Sequence, residues 1–126
     1  MSKYNTVEVW NRVFGNKTEV YDYAGRLMKK SACGNPRSSF YPTIDHIRPL
    51  SKGGCDILEN IIICHRDTNE EKADSFPHWK ANGTRYIAIR VKVQEMNMKY
   101  TNKIEGGCPN GKRTRSIRTY SHASAA

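Results

Sequence analysis

The segment from Ile44 to Asp74, IDHIRPLSKGGCDILENIIICHRDTNEEKAD, restricts the fold more than any other part of the 126-residue chain. Its β-branched residues before Pro49 predict a short extended segment, and Gly53-Gly54 predicts a turn in the loop that follows. The apolar run from Ile61 to Cys64 has the length of a buried strand. We therefore expect two strands here, joined by a loop that lets the chain return antiparallel.

A helix is expected directly after these strands, in the segment DTNEEKADSF. Asp67 or Thr68 can cap its first turn, and Glu70 and Glu71 suit the positive end of the helix dipole. Phe76-Pro77 would end it, because proline cannot continue a helix. The predicted order of this central unit is strand, loop, strand, helix.

The segments on either side of this unit predict helices before it and one strand after it. NTVEVWNRVFG and TEVYDYAGRLMKKSACG carry apolar residues at helical spacing, and Asn5 or Thr6 can cap the first of them. The stretch from Arg85 to Val93 alternates as a strand does. We therefore expect an α+β fold in one domain over residues 1–93, followed by a basic, flexible tail over residues 94–126.

Positive charge is concentrated in the last third of the sequence. The chain has 21 Lys and Arg against 12 Asp and Glu, and residues 84–126 hold 9 basic and 2 acidic side chains, a net charge of +7. Phosphate contacts by such a segment release counterions, which favours binding to nucleic acid. The alternative is a solvated tail that aids solubility. The candidate nucleic-acid-binding residues in this segment are Lys112, Arg113, Arg115 and Arg118.

Neither an export signal nor a membrane segment is expected. No apolar stretch follows Met1, and no run approaches the roughly 20 residues that a membrane helix needs. The four cysteines include no CxxC pair, so we expect reduced thiols, no structural zinc, and Cys64 packed in a core strand. The expected location is cytoplasmic, without a membrane partner.

The central unit also contains the side chains that phosphodiester hydrolysis needs. Asp45 and the side-chain carbonyl of Asn69 are oxygen donors suited to Mg²⁺, and His46 can act as a base near neutral pH. Neighbouring strand residues point to opposite faces, so Asp45 and His46 can share a site only if the strand is bent or irregular there. His65, at the end of the apolar run, is the alternative to Asn69 as a metal or phosphate contact.

This segment resembles the HNH, or ββα-metal, endonuclease motif, with a core over residues 41–76. The resemblance matches Asp45-His46 to the first element, Asn60 to the middle asparagine and Asn69 to the third position. The spacings, 14 residues from His46 to Asn60 and 9 from Asn60 to Asn69, are similar to those in the HNH domains of RNA-guided CRISPR nucleases. The flanking segments resemble small standalone bacterial or phage HNH proteins.

The resemblance implies a role for each of these residues. His46 would be the general base, and Asp45 and Asn69 would ligate a single divalent cation, Mg²⁺ or Mn²⁺. Asn60 would belong to the catalytic machinery by holding the loop backbone so that His46 is oriented correctly. Lys72, one helical turn after Asn69, would contact a phosphate.

The expected function is therefore a metal-dependent DNA endonuclease that cuts one strand per active site. Double-strand cleavage would need two copies, for example in a homodimer. Two alternatives stay open. One is a nuclease toxin or effector that acts on DNA or RNA, and the other is a non-catalytic nucleic-acid-binding module.

Overall fold

A computed structural model describes residues 2–92, 100–107 and 114–118, and it confirms the α+β fold class. Its helices and strands, in chain order, are α1 (Thr6–Phe14), β1 (Glu19–Tyr21), β2 (Leu27–Lys29), β3 (Pro42–His46), β4 (Ile61–His65), α2 (Arg66–Lys72), β5 (His78–Ala81), β6 (Thr84–Lys92), β7 (Tyr100–Gly107) and β8 (Thr114–Arg118). Neither helix is long and apolar enough to cross a membrane, a statement that covers the described residues alone.

The first predicted helix is confirmed as α1. The side chain of Asn5 accepts a hydrogen bond from the backbone N–H of Glu8, which caps the helix at its start. Gly15 ends it with a φ of 61°, a conformation that glycine adopts without a steric penalty. The helix buries Val9 and Trp10 on the side that faces the rest of the protein.

The second predicted helix is wrong, because its segment forms an antiparallel hairpin of β1 and β2. Asp22 explains the difference. Its Oδ1 accepts hydrogen bonds from the backbone N–H groups of Ala24 and Arg26, both at 2.9 Å, and so stabilises a turn. Gly25 has a φ of 86° in the same turn. The polar turn therefore overrides the helical spacing of the apolar residues around it.

The central unit has the predicted order. Strands β3 and β4 pair antiparallel in a register that sets Pro42 opposite His65 and His46 opposite Ile61. Helix α2 follows β4 directly and is capped by His65, where Asp67 or Thr68 was expected. It ends at Lys72, before the proline that was expected to stop it.

All five residues of β4 are buried, because the strand separates two hydrophobic cores. The helix core contains Val9, Trp10, Met28, Leu58, Ile61 and Ile63. The sheet core contains Tyr23, Ala24, Ile47, Ile62, Cys64, Trp79, Ala81, Tyr86, Ala88 and Ile104. Alternate residues of β4 therefore enter alternate cores, and Cys64 is packed in a core strand as expected.

The C-terminal part of the fold is larger than predicted, because four antiparallel strands in the order β5-β6-β7-β8 replace the single expected strand. Asn82 and Gly83 join β5 to β6 with φ values of 48° and 77°, the conformation of a tight hairpin turn. Strands β7 and β8 lie in the segment expected to be a flexible tail. Arg115 and Arg118 lie on β8, whereas Lys112 and Arg113 fall outside the described residues.

The sheet is joined to the β1-β2 turn through aromatic side chains. Trp79 Nε1 donates a 2.9 Å hydrogen bond to the hydroxyl of Tyr23, and the two rings meet edge to face. The hydroxyl of Tyr86 donates to the backbone carbonyl of Tyr23 at 3.3 Å. Burial is the largest of the effects that raise the pKa of Tyr23. Its hydroxyl is therefore a neutral structural group.

We predict that Asp22→Ala destabilises the fold by roughly 2–5 kcal/mol. Besides the two turn N–H groups, Asp22 Oδ2 accepts from the backbone N–H of His65 at 2.9 Å, and the residue is only 6% exposed. The substitution would leave three backbone donors without their acceptor. Urea unfolding of the variant measures this loss, with the exposed Asp74→Ala as the matched control. A loss below about 1 kcal/mol would contradict the role given to Asp22.

Candidate active site

Strand β3 places Asp45 and His46 on opposite faces of the hairpin. Asp45 pairs with Ile62, which belongs to the sheet core, and His46 pairs with Ile61, which belongs to the helix core. The pairing runs without interruption from Pro42 to His46, so the register has no irregularity between these two residues. The two side chains therefore lie on either side of the same strand.

Helix α2 lies along the edge of β3 that faces away from β4. Asn69 Nδ2 donates to Thr43 Oγ1 at 2.9 Å and to the backbone carbonyl of Ile44 at 3.3 Å. One helical turn later, Lys72 Nζ donates to the backbone carbonyl of His46 at 3.2 Å. Carbonyls two residues apart point to the same edge of a strand, so the two helix side chains bond along one edge. Asn69 and Lys72 therefore hold α2 against the strand that carries Asp45 and His46.

The carboxylate of Asp45 is buried and incompletely satisfied. Its side chain is 9% exposed, and its Oδ2 is a buried atom that has no hydrogen-bond partner in the described part of the chain. Lys72 Nζ lies 3.4 Å from this oxygen and supplies an ion pair without a directed hydrogen bond. Burial raises the pKa of Asp45 to about 6, against the lowering effect of Lys72 and His46. Lys72 therefore compensates the charge of this oxygen but leaves it without the hydrogen bond that buried polar groups normally make.

The structure corrects the expectation that Lys72 contacts a phosphate. Its side chain is 0% exposed, and its ammonium lies 5.1 Å from the ring centroid of Trp79. The same ammonium contacts Asp45 and the His46 carbonyl, as described above. Lys72 is therefore an internal cation that holds β3 against α2, and it has no surface that a nucleic acid could reach.

His46 is held by an aspartate that the sequence did not single out. Its Nε2 lies 2.8 Å from Asp56 Oδ1, and within the described residues its Nδ1 has no hydrogen-bond partner. Asp56 also accepts from Ser2 Oγ and from the backbone N–H of Lys3, both at 2.7 Å. Partial burial opposes the charge on Asp56, but these hydrogen bonds outweigh it and lower its pKa to about 2. Asp56 is therefore an ionised acceptor near neutral pH.

Asn60 uses its side-chain amide to close the loop between β3 and β4. Its Oδ1 accepts from the backbone N–H of Arg48 at 2.9 Å, and its Nδ2 donates to the carbonyls of Arg48 and Cys55 at 3.0 and 2.9 Å. The residue is 5% exposed. Gly54 lies in the same loop, and a Cβ at this position would sit 1.8 Å from the Arg48 carbonyl oxygen. The Asn60 side chain therefore holds the loop backbone at Arg48, near its start, and at Cys55, in its second half.

His65 lies at the other end of β4, where both of its ring nitrogens are already used. Its Nδ1 accepts from the backbone N–H of Asp67 at 2.9 Å, and its Nε2 lies 2.6 Å from the backbone carbonyl of Ser39. A carbonyl can only accept, so Nε2 carries the proton. His65 is 4% exposed and serves as the cap of α2, which leaves no ring lone pair for a cation.

Asp45 and Asn69 carry oxygen atoms of the kind that a hard divalent cation prefers. Asp45 Oδ2 lacks a hydrogen-bond partner, and Asn69 uses its amide nitrogen toward β3, which leaves its carbonyl oxygen for another contact. Mg²⁺ characteristically takes one or two protein oxygens and completes its shell with water and phosphate oxygens. Across the described ranges, no group of three or more His, Cys, Asp or Glu side chains could hold a metal. A site here would therefore depend on Asp45 and Asn69.

We predict that Asn60→Ala costs roughly 2–4 kcal/mol of unfolding free energy, because it leaves buried backbone groups of the loop unpaired. Asn16→Ala, at an exposed position, is the matched control and should change stability by less than about 0.5 kcal/mol. Urea unfolding followed by tryptophan fluorescence measures both. Equal losses in the two variants would show that the amide of Asn60 does not hold the loop.

We also predict a specific pH dependence of stability from Asp45. Because its pKa in the fold is raised from 3.8 to about 6, its contribution is fully present below pH 3.8 and is lost as the pH rises through 6. The shift corresponds to about 3 kcal/mol. Asp45→Asn should lack this loss between pH 4 and 7.5, as measured by urea unfolding at each pH.

Lys72→Met provides a second test of the same pair. Lys72 lowers the pKa of Asp45 in the fold, so the substitution should raise that pKa. The loss of stability with rising pH should then continue to a higher pH than in the wild type. Parallel pH profiles for the wild type and Asp45→Asn would contradict the raised pKa.

One comparison with known proteins gives a match, which covers the central unit. Residues 39–78 match the family described as HNH endonuclease. They contain β3, the loop held by Asn60, β4 and α2. No curated protein and no solved structure matches the chain. The matched segment includes Asp45, His46, Asn60 and Asn69, in the spacing that the sequence shows. Residues 39–78 are therefore similar to the HNH endonuclease family.

Proposed function

We propose that this protein is a metal-dependent endonuclease that hydrolyses phosphodiester bonds in DNA. The observation that carries the proposal is the buried Asp45 oxygen without a hydrogen-bond partner, at the strand edge where Asn69 also bonds. A carboxylate in this state is stabilised by a cation with open coordination positions. The family match supports a nuclease and a nucleic-acid substrate.

In this proposal, His46 is the general base. Its side chain is 14% exposed, so a water molecule can reach the ring. Nε2 of His46 donates a hydrogen bond to the Asp56 carboxylate. The lone pair of Nδ1 is then left to take the proton from the attacking water. Asn60 acts at a distance, because its hydrogen bonds hold the Arg48 backbone two residues after His46.

Asp45 and Asn69 would hold the cation, and we assign no metal role to His65. A bound Mg²⁺ or Mn²⁺ would supply positive charge to the phosphate and the leaving oxygen. Lys72 would keep the Asp45 carboxylate ionised and in place, since its ammonium is buried beside it. Binding of the cation should lower the pKa of Asp45 from its raised value, because a second positive charge beside Lys72 favours the ionised form.

DNA is the proposed substrate, and RNA is the alternative within the same chemistry. The net charge of +9 supports a polyanionic partner in either case. One site of this kind cuts one strand, so double-strand cleavage would need two copies or two successive cuts. The reaction is the same for a nuclease toxin or effector, which differs in its biological role.

A non-catalytic nucleic-acid-binding module is the second candidate. The observation that favours it is the regular pairing of β3, which directs Asp45 and His46 to opposite faces. In the enzyme, Asp45 and His46 would have to reach the same phosphate, and they could do so only across the edge of β3 that α2 contacts. A direct assay separates the two candidates.

We predict that the protein nicks supercoiled plasmid DNA with Mg²⁺ or Mn²⁺ and does not do so in EDTA. His46→Ala should lower the rate by about 100-fold or more, because removal of a general base has an effect of this size. His78→Ala is the matched control, since His78 is exposed on β5 and should leave the rate unchanged. Gel separation of supercoiled and open-circular plasmid measures the rate.

Metal binding is read separately from activity by thermal unfolding. Mg²⁺ or Mn²⁺ should raise the Tm of the wild type and of His46→Ala, but not that of Asp45→Asn or Asn69→Ala. A wild type that cuts neither DNA nor RNA with any divalent cation would favour the binding module. Equal nicking by His46→Ala would exclude His46 as the base.

A further inference from the structure

The carboxylate of Asp56 contacts the ring of the proposed base. It lies in the loop between β3 and β4, ten residues after His46 in the sequence, and its side chain is 21% exposed. Its Oδ1 lies 2.8 Å from His46 Nε2 and also accepts from Ser2 Oγ. Its Oδ2 accepts from the backbone N–H of Lys3. The carboxylate therefore joins the chain start, the loop and β3.

The orientation of this carboxylate is fixed on both oxygens. Lys3 and Ser2 bind it from the N-terminal segment, and its neighbour Cys55 is bound through its carbonyl to the Asn60 amide. An ionised carboxylate can only accept hydrogen bonds, so the His46 nitrogen that faces it must donate. The contact therefore selects one tautomer of the neutral ring, with the proton on Nε2.

We propose that Asp56 is a positioning residue for hydrolysis, which sets the ring orientation and tautomer of His46 so that Nδ1 presents its lone pair to water. The proposal rests on the proposed function, in which His46 is the base. The same geometry extends the site to residues outside the family-matched segment 39–78. Ser2 and Lys3 act through Asp56 by preventing the carboxylate from turning away from His46.

Asp56→Asn is the sharpest test, because an amide has one donor end and one acceptor end. If its oxygen keeps the bond from Lys3, its nitrogen faces His46 and donates, which forces the proton onto Nδ1. If its oxygen faces His46, its nitrogen opposes the Lys3 N–H and the N-terminal contact is lost. Either arrangement disturbs the base while it changes the size of the side chain very little.

The first readout is the tautomer of His46, measured by ¹⁵N–¹H NMR of the ring at pH 8, where histidine is ordinarily neutral. The wild type should show the proton on Nε2, and Asp56→Asn should show the other tautomer or a mixture. Asp74→Asn, at an exposed aspartate, is the matched control and should keep the wild-type pattern. A wild-type ring protonated on Nδ1 would overturn the proposal, and this measurement needs no variant to fold.

The second readout is plasmid nicking under saturating Mg²⁺. Asp56→Asn should lower kcat by about 10- to 100-fold and leave KM within about twofold, because the variant disturbs the base and not substrate binding. Ser2→Ala should lower kcat less, since the Lys3 contact remains. A full kcat together with an unchanged tautomer in Asp56→Asn would refute a positioning role. If the wild type does not cleave, the proposed function fails, and the NMR result still decides whether Asp56 sets the tautomer.

Discussion

The buried ammonium of Lys72 is the contact on which the arrangement of the central unit depends. It comes from the last turn of α2 and touches a side chain and a backbone carbonyl of β3, while the ring of Trp79 covers it from the sheet. Removing one partner of a buried ion pair is costly, since the remaining charge is left in a medium of low polarity. The ammonium of Lys72 thus contacts the β3-β4 hairpin and the sheet while it belongs to α2. Lys72 thereby holds α2 against β3, the strand that carries Asp45 and His46.

The elements that were predicted correctly from sequence are those whose signals are local. The apolar run of β4, the cap of α1 and the alternation of β6 each fit within a short window. The hairpin β1-β2 was missed because its apolar residues also fit a helical spacing, and the deciding interaction is the Asp22 carboxylate with turn N–H groups. Strand β5 could have been found, since Asn82-Gly83 is a strong hairpin signal before an alternating strand. Strand β7 pairs with β6 and β8 pairs with β7, and no local pattern encodes these pairings.

The candidate site divides in the same way. Residue types and spacing were enough to single out Asp45, His46, Asn60 and Asn69, and their family assignment rests on the segment that carries them. Sequence could not predict the burial of Lys72, because a lysine on a short helix is usually a solvated charge. It also could not predict that Ser2 and Asp56 meet, since they are 54 residues apart. Contacts between distant segments thus decide how the site residues are oriented, whereas local patterns identify which residues these are.

The position of β4 between two cores limits whether residues 39–78 can be transferred to another protein. In a hairpin with one solvent-exposed face, half of the strand residues would be polar, and the hairpin could be packed on the surface of another protein through its apolar face alone. Here Ile61 and Ile63 require the helix core, and Ile62 and Cys64 require the sheet core. A graft of residues 39–78 alone would expose apolar side chains on both faces of the strand. The smallest unit that could be transferred is therefore the hairpin together with α1 and the sheet, which is close to the whole described fold.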